Sequence, residues 1–132
     1  MSLRTGKEKI DELLACYRRG ETEDFERVAL IRAQNDYFRA SGTGGVFFMT
    51  AGVDALPPDI KARVLRRTLT FIDFTAENDA HKEHDCFSFE AGGKTFIAKI
   101  DYYDKSMMHG SEDPADPEQT TRVLTVMLAD EY

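Results

Sequence analysis

DCFSFEAGGKTFIAKIDYY, residues 85–103, reads as a β-hairpin. Phe87 and Phe89 share one face of residues 85–90, and Phe96, Ala98, Ile100 and Tyr102 share one face of residues 94–103, the two-residue period of half-buried strands. Between them Gly92-Gly93 supplies the positive φ that a two-residue hairpin turn requires. This turn sets Phe89 opposite Phe96 and Phe87 opposite Ala98, apolar against apolar. Carried outward, the same ladder sets His84 opposite Asp101 and His81 opposite Asp104.

Downstream, residues 104–119 contain Asp-Pro twice and form a turn-rich acidic loop, with 105–119 expected to be the most mobile internal segment. TTRVLTVML, residues 120–128, is β-branched enough to be a third strand. Upstream, Lys7 to Arg19 places Ile10, Leu13, Leu14 and Tyr17 at helical spacing before Gly20, and a second helix runs from Thr22 to about Ala40 with Phe25, Val28, Ile31 and Phe38 as its stripe. Asn35 interrupts that stripe and implies a hydrogen bond to backbone. SGTGG, residues 41–45, follows a helix and precedes the apolar run Val46 to Met49, the reverse of a phosphate loop, so it is a helix stop and turn. A further helix spans about Pro58 to Phe71, with Ile60, Val64, Leu65 and Ile72 inward and Arg63, Arg66 and Arg67 outward. The fold class is therefore α+β: two N-terminal helices, a strand, a helix, then a three-stranded antiparallel meander packed against the helices. Phe87, Phe89, Phe96, Ile100, Leu124 and Val126 should be buried under Ile31, Phe38, Val64 and Ile72.

At 132 residues the chain is the size of one domain, 1–132, with 1–3 as an expression leader and 4–22 as a helical extension. No apolar run reaches the roughly 20 residues of a spanning helix, and the charged start predicts a cytoplasmic protein without a membrane role. Cys16 and Cys86 lack metal-finger spacing and are expected as free thiols, Cys86 within the core. The net charge of −7 sits in the last third, where residues 77–132 carry thirteen acids against five bases. Such a field disfavours nucleic acid and favours a cation or a basic protein partner. Arg63, Arg66 and Arg67 form the basic face, a docking surface for an acidic partner or for the acidic half of the chain itself.

FTAENDAHKEHDCF, residues 74–87, gathers two histidines and four carboxylates. With the hairpin register, His81, Glu83, His84, Asp85, Asp101 and Asp104 form a candidate patch at the open end of the hairpin. Imidazole and carboxylate suit a divalent transition metal, for which His81, His84, Asp101 and Asp104 are the candidate ligands; the alternative is a cross-strand His84–Asp101 pair beside a charged loop. His84-Asp85 is no phosphohydrolase dyad, since those sit on helices. Asp113, Asp116 and Glu118 lack calcium-loop spacing.

The segments IRAQNDYFR, TAGVDAL, FIDFTAENDAHKEHD, KIDYYD and GSEDPADPEQTTRVLTVMLADEY resemble the bacterial family named domain of unknown function 3768, over residues 30–132. Its loop pattern is similar to this one at His81, Glu83, His84 and Asp85 and differs at Ala80, Lys82 and Cys86. The resemblance implies no reaction, cofactor or partner. The expected function is a non-catalytic accessory or regulatory binding module acting through its acidic C-terminal half, with no cofactor; the alternative is a metal-dependent hydrolase with a His/Asp site at the open end of the 85–103 hairpin.

Overall fold

Gly92 and Gly93 adopt φ of 56° and 77°, and the ladder they start pairs Phe89 with Phe96 and Phe87 with Ala98. The computed structural model describes residues 3–132, with side chains from residue 6 onward, so the leader read at 1–3 lies outside the described residues except for residue 3, which opens a helix. The elements are α1 (Leu3–Arg18), α2 (Asp24–Ser41), β1 (Gly45–Met49), α3 (Ala51–Asp54), α4 (Pro58–Thr70), β2 (Cys86–Ala91), β3 (Lys94–Tyr103) and β4 (Thr121–Leu128), with a 3-10 turn at Ala129–Glu131.

The class is α+β, and the expected meander β2-β3-β4 is present, but the sheet is larger than three strands. Its order is β1-β4-β3-β2, and β1 lies parallel to β4, Phe47 beside Leu124 and Met49 beside Val126. The sheet is thus mixed. Parallel partners are remote in sequence, so no turn motif announces them. Gly45 permits this pairing, because a Cβ there would strike the Arg122 carbonyl oxygen.

One sheet face is covered by helices. Phe87, Phe89, Phe96, Ile100, Leu124 and Val126 are all buried, as are Ile31, Phe38 and Val64 above them. Ile72 is the exception at 82% exposed. The helix stops at Thr70 and Phe71 is extended, so the face alternates: Phe71 turns inward to stack on Phe87 at 4.4 Å, and Ile72 turns out. Phe25 is also exposed, because the packed stripe of α2 is Leu30, Ile31, Gln34, Asn35 and Phe38, and at about 100° per residue Phe25 falls on the opposite side. Cys86 is exposed rather than core, since it shares the outer face of β2 with Ser88 and Glu90; both thiols are free.

The acidic loop is held to the helices rather than hanging free. Ala115 is fully buried against Ile10, Leu14, Leu30 and Ile31. Asp113 accepts hydrogen bonds from Tyr17 Oη at 2.7 Å and Arg27 Nη2 at 2.9 Å, and Gln34 donates to the Ala115 carbonyl at 2.8 Å. Burial alone would raise the Asp113 pKa, but the bonds from Tyr17 and Arg27 outweigh it and hold the carboxyl below its usual range. The expectation of a mobile 105–119 segment missed these anchors, which come from α1 and α2.

Candidate functional site

The chain leaves the β2 strand at His84. Asp85 still accepts the last ladder bond through its carbonyl, from Ile100 N at 2.7 Å, but His84 takes a φ of 55° and Lys82 one of 58°. These left-handed residues turn the backbone away from the strand. The ring of His84 therefore faces α2 instead of Asp101. Its Nδ1 donates to Asp36 Oδ1 at 2.8 Å, its Nε2 lies 3.5 Å from Asp79 Oδ2, and it stacks on Phe74 with centroids 3.8 Å apart.

The other residues of the predicted patch are dispersed. Asp101 pairs across β3 and β4 with Val123, and its carboxylate meets Lys99 Nζ at 3.1 Å on the sheet face away from the helices. Asp104 caps its own turn, accepting from Ser106 Oγ at 2.6 Å, and that bond leads the effects that lower its pKa. His81 lies exposed with Nδ1 3.2 Å from Asp85 Oδ2, a contact that raises the imidazole pKa. His81, His84, Asp101 and Asp104 thus have separate partners, and among the described residues no group of three or more His, Cys, Asp or Glu is placed to share an ion. The register-built His84–Asp101 pair is not formed.

Glu83 turns inward. Its carboxylate accepts from Tyr102 Oη at 2.7 Å, its carbonyl accepts from Asn35 Nδ2 at 2.9 Å, and Asn35 also donates to Tyr102 Oη at 2.8 Å. Asn35 Oδ1 accepts from Arg122 Nε at 2.7 Å. This network ties the 81–85 loop to α2, β3 and β4. Burial pushes the Tyr102 hydroxyl pKa up and brings the Arg122 guanidinium down to about 10.

His84 borders a cleft of about 590 Å³ between α1, α2 and residues 69–74. Its walls are largely apolar, from Leu13, Ala33, Phe71 and Phe74, and its polar groups include Lys9, Arg32, Asp36 and Arg39. Arg39 is 5% exposed, donates to the Thr68 carbonyl at 3.1 Å, and lies over the Phe74 and Phe87 rings. Its Nε has no hydrogen-bond partner, and burial lowers its pKa. A positive group held this way favours a nearby acceptor. Of the predicted arginine face on α4, Arg67 is occupied by the β2–β3 hairpin, donating to the Glu90 carbonyl at 2.9 Å and lying over Phe89; Arg63 and Arg66 remain at the surface.

Asp36, Arg39, Phe74 and Asp79 were not foreseen as site residues. The i,i+3 pair Asp36 and Arg39, 3.5 Å apart, was the available signal, since two charges flanking an otherwise apolar stripe need partners. Neither a curated protein nor a solved structure matches the chain. A family match does exist over residues 49–131, which include Phe74, Asp79, Glu83, His84, Tyr102 and Arg122. With more than half its length so matched, the chain belongs to the family described as Protein of unknown function (DUF3768).

Proposed function

We propose that the chain is a non-catalytic binding module that holds a small molecule with an apolar body and an acidic head in the cleft beside His84. The cleft carries this reading: about 590 Å³ lies within the usual range of small-molecule sites, roughly 300–1,000 Å³, and the bases Lys9, Arg32 and Arg39 outnumber the single acid Asp36 among its lining residues. Binding rather than catalysis is supported by His84, whose two ring nitrogens both face carboxylates, so neither is presented to a substrate. The acidic half is a weaker candidate surface. Asp113 is bonded by Tyr17 and Arg27, and Asp116 and Glu118 each lie 3.8 Å from Arg18.

Decanoate and decanol, which share an apolar body and differ in the head, test the proposal by thermal denaturation. Decanoate should raise the melting temperature saturably, decanol much less, and Ile72→Asp, at an exposed cleft position, should abolish the effect without unfolding the protein. Equal shifts from both ligands, or an undiminished shift in the variant, would sink the proposal. A stoichiometric transition metal in the purified protein, lost with His84→Ala, would replace it with the metal-dependent hydrolase.

A further inference from the structure

The two edges of the sheet are treated differently. At β2, Arg67 reaches over to take the Glu90 carbonyl at 2.9 Å, whereas no hydrogen bond among the described residues reaches the outer side of β1. Its sequence, GVFFM, has none of the charges or prolines that normally blunt an edge strand. Gly44 accepts from Arg122 N, and Thr50 donates to the Val126 carbonyl. In a parallel ladder such bonds fall on every second residue, so Val46 and Phe48 also turn their main chain toward β4. The N–H and C=O of Phe47 and Met49 then point outward, unpaired.

Beside this edge lies an apolar groove of about 390 Å³, separate in purpose from the His84 cleft, lined among others by Phe47, Met49, Leu65, Leu69 and Leu124. Val46, Phe47 and Phe48 are partly open to solvent, Phe48 at 54%. A row of unpaired main-chain groups next to an apolar groove is the arrangement that receives an extended peptide as an added strand: the backbone bonds give affinity and alternate side chains enter the groove.

Charge selects the occupant. Arg66 stands next to Leu65 and one turn before Leu69 on α4, and neither it nor Arg63 has an ion-pair partner among the described residues, while the rest of the chain is acidic overall. A second copy joined through β1 would place two such basic helices on the same side of a continuous sheet, where they repel. We propose that β1 and its groove bind an extended, β-branched segment of a partner protein whose flanks are acidic, added as a fifth strand.

Fluorescence anisotropy with the labelled peptide Glu-Asp-Val-Thr-Val-Thr-Val-Asp-Glu tests this on the full chain. Saturable binding is expected, weakened at least tenfold by Arg66→Glu, by replacing the flanking acids with lysines, or by N-methylating the Thr residues and, in a second peptide, the Val residues, one of which must lie on the bonding side. Ile72→Asp should leave it unchanged, which separates it from the His84 cleft. Binding that survives both N-methylated peptides would show that no strand is added. Indifference to Arg66→Glu would remove the acidic partner. A concentration-dependent dimer in sedimentation that excludes the peptide would assign the edge to a second copy instead.

Discussion

The two ends of the β2–β3 hairpin are held by different forces. At the turn the backbone suffices: two glycines at positive φ, a regular ladder, and phenylalanines packed in register on the helix-covered face. At the open end side chains decide, because Asp36, Asp79 and Phe74 take His84 while Asn35 and Tyr102 take Glu83. The turn end is a local structure that the core stabilises. The open end is a tertiary structure in which a strand stops where partners from elsewhere offer more than another rung of the ladder.

The comparison is tested most severely at the turn end. Phe96 is completely buried, opposite Phe89 and in ring contact with it at 5.7 Å. Phe96→Ala should destabilise the protein by about 3–5 kcal/mol in urea unfolding, the usual range for a buried aromatic truncation. A loss below about 1 kcal/mol would mean that the sheet face is not the main core.

The next effect belongs to the open end. Asn35→Leu preserves bulk but leaves Arg122 Nε, the Glu83 carbonyl and the Tyr102 hydroxyl each short of one partner. Stranding a buried polar group costs about 1–3 kcal/mol, and a charged guanidinium places this substitution toward the upper end. Amide exchange should accelerate in residues 81–85 more than in the paired residues of β2 and β3. Uniform acceleration would erase the distinction between the two ends.

The same difference explains what could be read from the sequence. Alternating phenylalanines around Gly-Gly define a hairpin and its register because all the information lies within about twenty residues, consistent with the general use of pattern and turn chemistry. Three features depend on contacts that no period records. β1 pairs with β4, more than seventy positions away. Phe71 replaces Ile72 in the core because the helix ends one residue earlier than its apolar spacing suggests. The acidic loop looked unanchored because its anchors, Tyr17, Arg27 and Gln34, lie in helices far upstream. The His84–Asp101 pair is not formed for a related reason: extending the ladder by two residues beyond Cys86 presumed extended backbone, whereas His84 and Lys82 are left-handed.

The smallest expected effect isolates what remains of the imidazole-carboxylate chemistry at the open end. Asp85 is fixed by the ladder bond from Ile100, so it presents its carboxylate to His81 from a rigid base, while His81 itself is largely in solvent. The hydrogen bond that His81 donates to Asp85, and then the charge of that carboxylate, raises the His81 pKa above the ordinary imidazole value. A raised folded-state pKa stabilises the protein fully below the unfolded value, about 6.5, and this contribution disappears as pH rises through the folded one. Solvent screening makes the effect on stability small, so the titration itself is the measurement. In an NMR pH series His81 should titrate above its ordinary value, and Asp85→Asn should bring it back. If Asp85→Asn instead left the His81 titration where it was, the contact between these two side chains would not be what raises it, and the pairing that marks this end of the hairpin would not hold in solution.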